Sequence, residues 1–302
     1  MILAALVALL ASPSPSPAQD PLFEPKTTPR AAKVEVVRLA EWPKLTVSGD
    51  TLKLEIERLR KSGTPQMGEE ADLALTNMGA AVVPQLLPVL GKERNLEARL
   101  RVETVLEKIT TAEHTRLLAP FFADKSREVR VWALMRCAQF GDLGIAKEAD
   151  AALAKAKTLR EKDPKAEGAD HEVYAAALCT ASAGSVVGLD VLATYATDQW
   201  GKKGVEMRVA LEGVRNEDAT AFASKLIAEG DRKKKVGGLN MLAGCGTKSA
   251  LGVVKTCLDD TDNSIRVAAI NAMRGIIDGD LPIANLPVFE AIELAKKWKQ
   301  RS

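Results

Sequence analysis

Two histidines, four cysteines and two short polar runs are the residues of this 302-residue chain whose types could do chemistry. His114 and His171 lie far apart in the sequence, and neither has a companion at the spacing of a metal site or a general-base pair. Both read as surface residues at the start of a helix. No HExxH, CxxC, CxxCH or GxSxG occurs, so the anchors for zinc hydrolysis, thiol redox, haem attachment and serine catalysis are missing. The run Gly244 to Ser249 (GCGTKS) resembles the end of a phosphate-binding loop, but Thr247 stands where Gly must precede the lysine. It reads as a helix end and turn. Asp260, Asp262 and Ser264 have the spacing of the first calcium-loop ligands, yet Ile265 replaces the required Gly and Asn271 the bidentate Glu, which leaves helix capping as their role. No residue is therefore assigned to catalysis, to a cofactor or to a metal, and the chain reads as a non-enzyme.

The cysteines Cys137, Cys179, Cys245 and Cys257 occupy apolar helical positions. A disulfide needs Cα atoms within about 7 Å, closer than packed helix axes at about 8 to 10 Å, so buried free thiols are expected. A Cys137–Cys179 link between adjacent repeats is the one exception entertained. Lys and Arg number 42 against 40 Asp and Glu, so the net charge of +2 supplies no global field for nucleic acid or an anionic membrane. One local cluster stands out: Arg232 to Lys235 (RKKK) at a helix start, where the helix dipole disfavours cations. Solvent exposure or an acidic partner would each explain it.

The elements that must position these residues are helices. From Asp50 onward apolar residues recur at helical spacing in pieces separated by short Gly, Asp, Asn or Lys clusters, and no segment alternates as a strand does. Second helices align at Glu70, Arg101, Arg130, Glu172, Arg208, Lys235 and Arg266, with intervals, by subtraction, of 31, 29, 42, 36, 27 and 31. The clearest copies are Leu117 to Gly141 and Val253 to Ile277, each an apolar helix, an Asp-containing turn, an apolar-Arg pair and a helix. Ile265, Arg266, Ala269, Ala272 and Met273 fit every position of the HEAT-repeat pattern, and Val129, Arg130, Ala133 and Cys137 fit it with Arg136 as a departure. The chain thus resembles HEAT repeats. The resemblance implies an all-α fold, an α/α superhelix (solenoid) of about seven helix pairs over residues 50–280, closed by a capping helix over 281–302. It also implies that the recurring Arg pairs with an Asp of the preceding turn, for which Asp124 and Asp262 are available.

Ahead of the repeats, the apolar run Ile2 to Ala11 and the small residues Ser16 and Ala18 read as a signal peptide over 1–18. About ten apolar residues are too few for a membrane span. Residues 19–49 read as a Pro-rich tether and irregular lead-in. The interval of 42 marks an insertion: a long Ala-rich helix from about Leu143 to Leu159, then a charged loop Arg160 to Asp170. The function expected is that of an exported interaction scaffold, periplasmic or secreted, a monomer or part of a complex. It would bind a protein or peptide, possibly acidic, through its concave face or edge loops. The alternatives are an enzyme of lyase or glycosylase type on a HEAT-like frame and a structural subunit of an envelope complex.

Overall fold

A computed structural model describes residues 36–61, 63–283 and 285–301. The signal peptide expected over 1–18 and the tether as far as residue 35 lie outside the described residues. Among these residues the fold is all-α, with no strand. The helices are α1 (Gly49–Arg60), α2 (Pro65–Met78), α3 (Val83–Leu90), α4 (Leu96–Ile109), α5 (Thr115–Leu118), α6 (Arg127–Phe140), α7 (Ala146–Lys162) and α8 (Ala169–Ser182). They continue as α9 (Leu189–Asp198), α10 (Trp200–Gly213), α11 (Glu217–Glu229), α12 (Arg232–Cys245), α13 (Leu251–Cys257), α14 (Asn263–Ile277) and α15 (Val288–Arg301).

Polar residues in the connecting turns fix where these helices begin. The side chains of Ser48, Thr64, Asn95, Ser126, Asn216, Asp231 and Asp262 each accept from a backbone N–H of the first turn, satisfying donors that a helix cannot pair internally. Asp262 is one of the would-be calcium ligands, and its role here is this cap. The helices pack as neighbours: α5 on α6, α7 on α8, α11 on α12 and α13 on α14, while α6, α8, α10, α12 and α14 each contact the next. A single apolar core runs from Leu52 in α1 to Trp298 in α15. α8 is buried without a break from Glu172 to Ser182, as expected of a helix enclosed on all sides.

Three expectations about boundaries are corrected. Lys235, Arg266, Arg130 and Glu172 are each the fourth residue of their helix, but Arg208 is the ninth residue of α10 and Lys203 holds the fourth place. With Lys203, the intervals from Glu172 to Lys235 become, by subtraction, 31 and 32 in place of 36 and 27. The capping helix begins only at Val288, because Pro282 and Pro287 interrupt the chain before it. In the insertion, α7 runs on to Lys162, past the expected end at Leu159.

The expected Arg–Asp ladder is also different. Arg130 donates to the backbone oxygens of Asp124 (2.8 Å) and Lys125 (3.1 Å), and its carboxylate partner is Glu172 of α8, at 2.6 and 2.9 Å. Arg266 donates to Asp260 O at 2.8 Å, whereas Asp262 pairs with Arg232. Arg101 and Arg136 likewise take carbonyls at the ends of neighbouring helices, Leu59 O at 2.8 Å and Thr110 O respectively. Guanidinium groups suit this role because the last carbonyls of a helix lack internal partners and carry its negative end. Arg136, the departure from the HEAT pattern, is thus an end-cap for α4.

The lead-in is held against residues 113–142, well past the first helices. Leu39 N–H donates to Glu113 O at 2.9 Å, Arg38 Nη2 donates to Gly141 O at 2.9 Å, and Arg38 Nε lies 3.1 Å from Asp142. Trp42 stacks on His114, centroids 5.5 Å apart and planes at 11°. His114 is therefore buried, contrary to its expected surface position, because a residue some seventy positions upstream covers it. Burial pushes its pKa down, against the pull of Glu113 and the Thr111 bond.

Burial also acts on Asp142, pushing its carboxyl up, but the Thr115 hydroxyl, the Gly144 N–H, Arg38 and Arg116 outweigh it and hold the group below the usual carboxylate range. A depressed folded pKa contributes stability above the unfolded value of about 3.9 and loses it as pH falls through the folded value. Asp142→Asn should therefore be less stable than wild type at pH 7 in urea titrations. The gap should narrow below about pH 4; a gap independent of pH would show that the Asp142 charge contributes nothing.

All four cysteines are free and buried. Burial pushes their thiols up, Cys245 to about 12, which removes the reactive thiolate. Native protein should resist alkylation at pH 8, and denatured, unreduced protein should take up four labels, as read by intact mass. Two fewer labels would reveal a disulfide.

One stretch, Pro65–Leu90, is long and apolar enough to cross a membrane by length and composition alone. Gly79, with φ +67°, ends α2 within it, and Val82, Val83, Leu86, Leu87 and Leu90 are fully buried in the core.

Candidate binding groove

Three adjoining cavities follow α4, α6, α8, α10, α12 and α14. The first, of about 570 Å³, is bounded by Arg99, Glu103, Glu128 and His171. It shares Glu107, Trp132 and Met135 with a second of about 480 Å³, which in turn shares Lys202 and Val205 with a third of about 760 Å³. Shared walls make one groove. The third cavity ends against residues 282, 283 and 285–287.

The sequence places apolar residues here beyond what the core uses. Val205 and Val209, one turn apart on α10, are 63% and 43% exposed and face the same cavity as Trp132, Met135 and Leu178. α10 buries Met207, Ala210 and Leu211 in the core and leaves the two valines over.

Charged groups line the first two cavities in nearly equal numbers. Arg136 and Arg127 are engaged by backbone carbonyls, of Thr110 and Glu167 respectively, and Arg127 also lies 3.3 Å from Glu172. Burial, with Glu107 one turn on, raises the pKa of Glu103 against the opposing pull of Arg99. Tyr174, fully buried, donates its hydroxyl to Glu206 at 2.6 Å, and Lys203 lies 3.2 Å from the same carboxylate and 4.1 Å from the Tyr174 ring centre. Burial and the Glu206 bond push the tyrosine pKa up, so this phenol keeps its proton and cannot act as a base near neutral pH. His171 is pushed down by burial and by Lys203. The groove thus offers shape, apolar surface and fixed hydrogen-bonding groups. Among the described residues no three His, Cys, Asp or Glu side chains could together hold a metal ion.

The residues singled out from sequence are dispersed. The Arg232–Lys235 cluster is partly neutralised from within: Arg232 pairs with Asp262 and donates to Ser264 at 3.0 Å, and Lys233 lies 4.0 Å from Asp198. Lys234 and Lys235 have no ion pair among the described residues. The insertion loop is fastened by Arg127 to Glu167 O and by the Tyr195 hydroxyl to Asp170 O at 3.1 Å, so that Glu167, Gly168 and His171 form the mouth of the first cavity. The GCGTKS turn is tied to α11, Thr247 and Ser249 donating to Glu217 at 2.8 and 2.6 Å. Trp132, Val205 and Val209 escaped the sequence reading; their one signal was a helix with more apolar positions than a single buried face requires.

Compared with known proteins, the chain matches no family model, no curated protein and no solved structure.

Proposed function

We propose that this chain is an exported, non-catalytic interaction scaffold, a HEAT-like α/α superhelix of about seven helix pairs that binds a protein or peptide along its concave groove. The groove itself carries the reading: a continuous run of cavities over α4 to α14 with exposed Val205 and Val209 at its middle. Apolar side chains left together in a concave site favour an apolar partner by about 25 cal/mol per Å² covered. Support for the superhelix comes from the neighbour-to-neighbour packing and from the interval near 31, since stacked units that contact only their neighbours produce both. The apolar run Ile2 to Ala11 and the small residues before Gln19 support export.

The test is a photo-crosslinking scan in the periplasmic or extracellular fraction. A photoreactive residue at Val205 or at Val209 should trap one and the same species, and the same residue at Leu143, exposed away from the groove, should not. Trapping from Leu143 alone, or from none of the three, would end the groove reading.

A further inference from the structure

The chain itself shows how a side chain of this groove holds non-helical backbone. After α14 the non-helical segment that includes Pro282, Ile283, Leu286 and Pro287 forms one wall of the cavity of about 760 Å³. Asn271 fixes it: its Nδ2 donates to Ile283 O at 3.2 Å, and Ile283 N–H donates to its Oδ1 at 2.8 Å. One side-chain amide thereby reads both backbone groups of one residue, independent of that residue's side chain.

Asn240 stands in the same place on α12, the helix packed against α14. Each asparagine is the ninth residue of its helix, α12 or α14, and the two are, by subtraction, 31 residues apart. Both are 4% exposed and both line the same cavity. Asn240 Nδ2 donates to Ala196 O at 2.8 Å, which fixes the orientation of the amide. Its Oδ1 has no protein donor among the described residues. Asparagine is a poor residue for a helix interior, and Asn240 lines the cavity with an acceptor that no described protein group uses.

We infer that the cavity of about 760 Å³ between α10, α12 and α14 takes an extended segment of a partner protein that carries apolar side chains, one backbone N–H of which donates to Asn240 Oδ1. The segment must be extended because a helix consumes its own N–H groups. Its side chains are apolar where they meet Trp200, Val205, Val236 and Val267, which share the lining with Asp198, Lys202, Asn263 and Ser264. This assignment rests on the groove reading and adds the place, the chemistry and the recognising atom.

The probe is an acetylated, amidated peptide, Leu-Pro-Ile-Ala-Asn-Leu-Pro, with the sequence of residues 281–287, titrated into the full chain by calorimetry. Saturable binding is expected. N-methylation at one of its non-proline positions should weaken binding at least tenfold, and that loss should vanish against Asn240→Leu, whose own affinity for the unmodified peptide is at least tenfold lower. Because N-methylation leaves the protein untouched, the result stands even if Asn240→Leu folds poorly. Absence of saturable binding, or equal tolerance of every N-methyl group, overturns the assignment and leaves water as the partner of Asn240. Should the crosslinks at Val205 and Val209 persist in that case, the groove reading survives without Asn240.

Discussion

Glu172→Ala should lower the unfolding free energy by about 3 to 5 kcal/mol, the usual consequence of removing one partner from a buried ion pair. Arg130 and Glu172 are 6% and 4% exposed and meet in a bidentate contact of 2.6 and 2.9 Å that joins α6 to α8. Arg130 keeps the Asp124 and Lys125 carbonyls when Glu172 is gone, but its charge is then buried without a counter-charge and beside Arg127, which shares the Glu172 carboxylate. The loss would appear as a midpoint drop on the order of 10 °C, at roughly 2 to 4 °C per kcal/mol for a domain of this size. The control is Arg130→Met with Glu172→Leu. Replacing a whole buried pair by apolar residues is often neutral, so the double variant should melt well above Glu172→Ala. A double variant no more stable than the single one would mean that this site requires the pair itself.

Gly275→Val should be nearly as damaging for a steric reason. A Cβ on Gly275 would lie 2.1 Å from Ala243 O, a backbone atom of α12 that cannot swing aside. Gly213, Gly244 and Gly275, 31 residues apart by subtraction, all stand where the next helix backbone or a buried Leu211 comes within 2.6 Å of the Cβ position. Prying α14 from α12 disturbs the closest helix contact of the chain's second half, and a cost of about 1 to 3 kcal/mol or more is expected from denaturant titration. Gly252→Ala is the contrast: nothing lies within 4 Å of its Cβ position, and relief of glycine's helix penalty should stabilise by about 0.5 to 1 kcal/mol. Equal effects of the two substitutions would refute the close-approach account.

Helix content was legible in the sequence because it rests on local terms: the spacing of apolar residues and caps such as Ser126, Asn216 and Asp262 act within one turn. The Glu172-to-Lys235 register was misread at Arg208, since a degenerate pattern accepts any Arg near a helix start while the structure counts from the cap at Gln199. Partners on separate helices were beyond reach. The sequence names Asp124 and Asp262 beside the recurring arginines, but only the stacking of helices brings Glu172 to Arg130 and Arg232 to Asp262. His114 looked exposed for the same reason, its cover being Trp42. The groove was the least legible feature: Val205 and Val209 look like core residues until the helices that could cover them prove to lie elsewhere.

The most direct test of the groove as the binding face is an affinity measurement on the species trapped from both Val205 and Val209, purified and titrated against wild type and against the Val205→Glu, Val209→Glu double variant. Both side chains are exposed, so the variant should melt within about 1 °C of wild type, surface substitutions being worth within about 0.5 kcal/mol. Its affinity should be at least tenfold lower. Equal affinity of the two proteins would contradict the account.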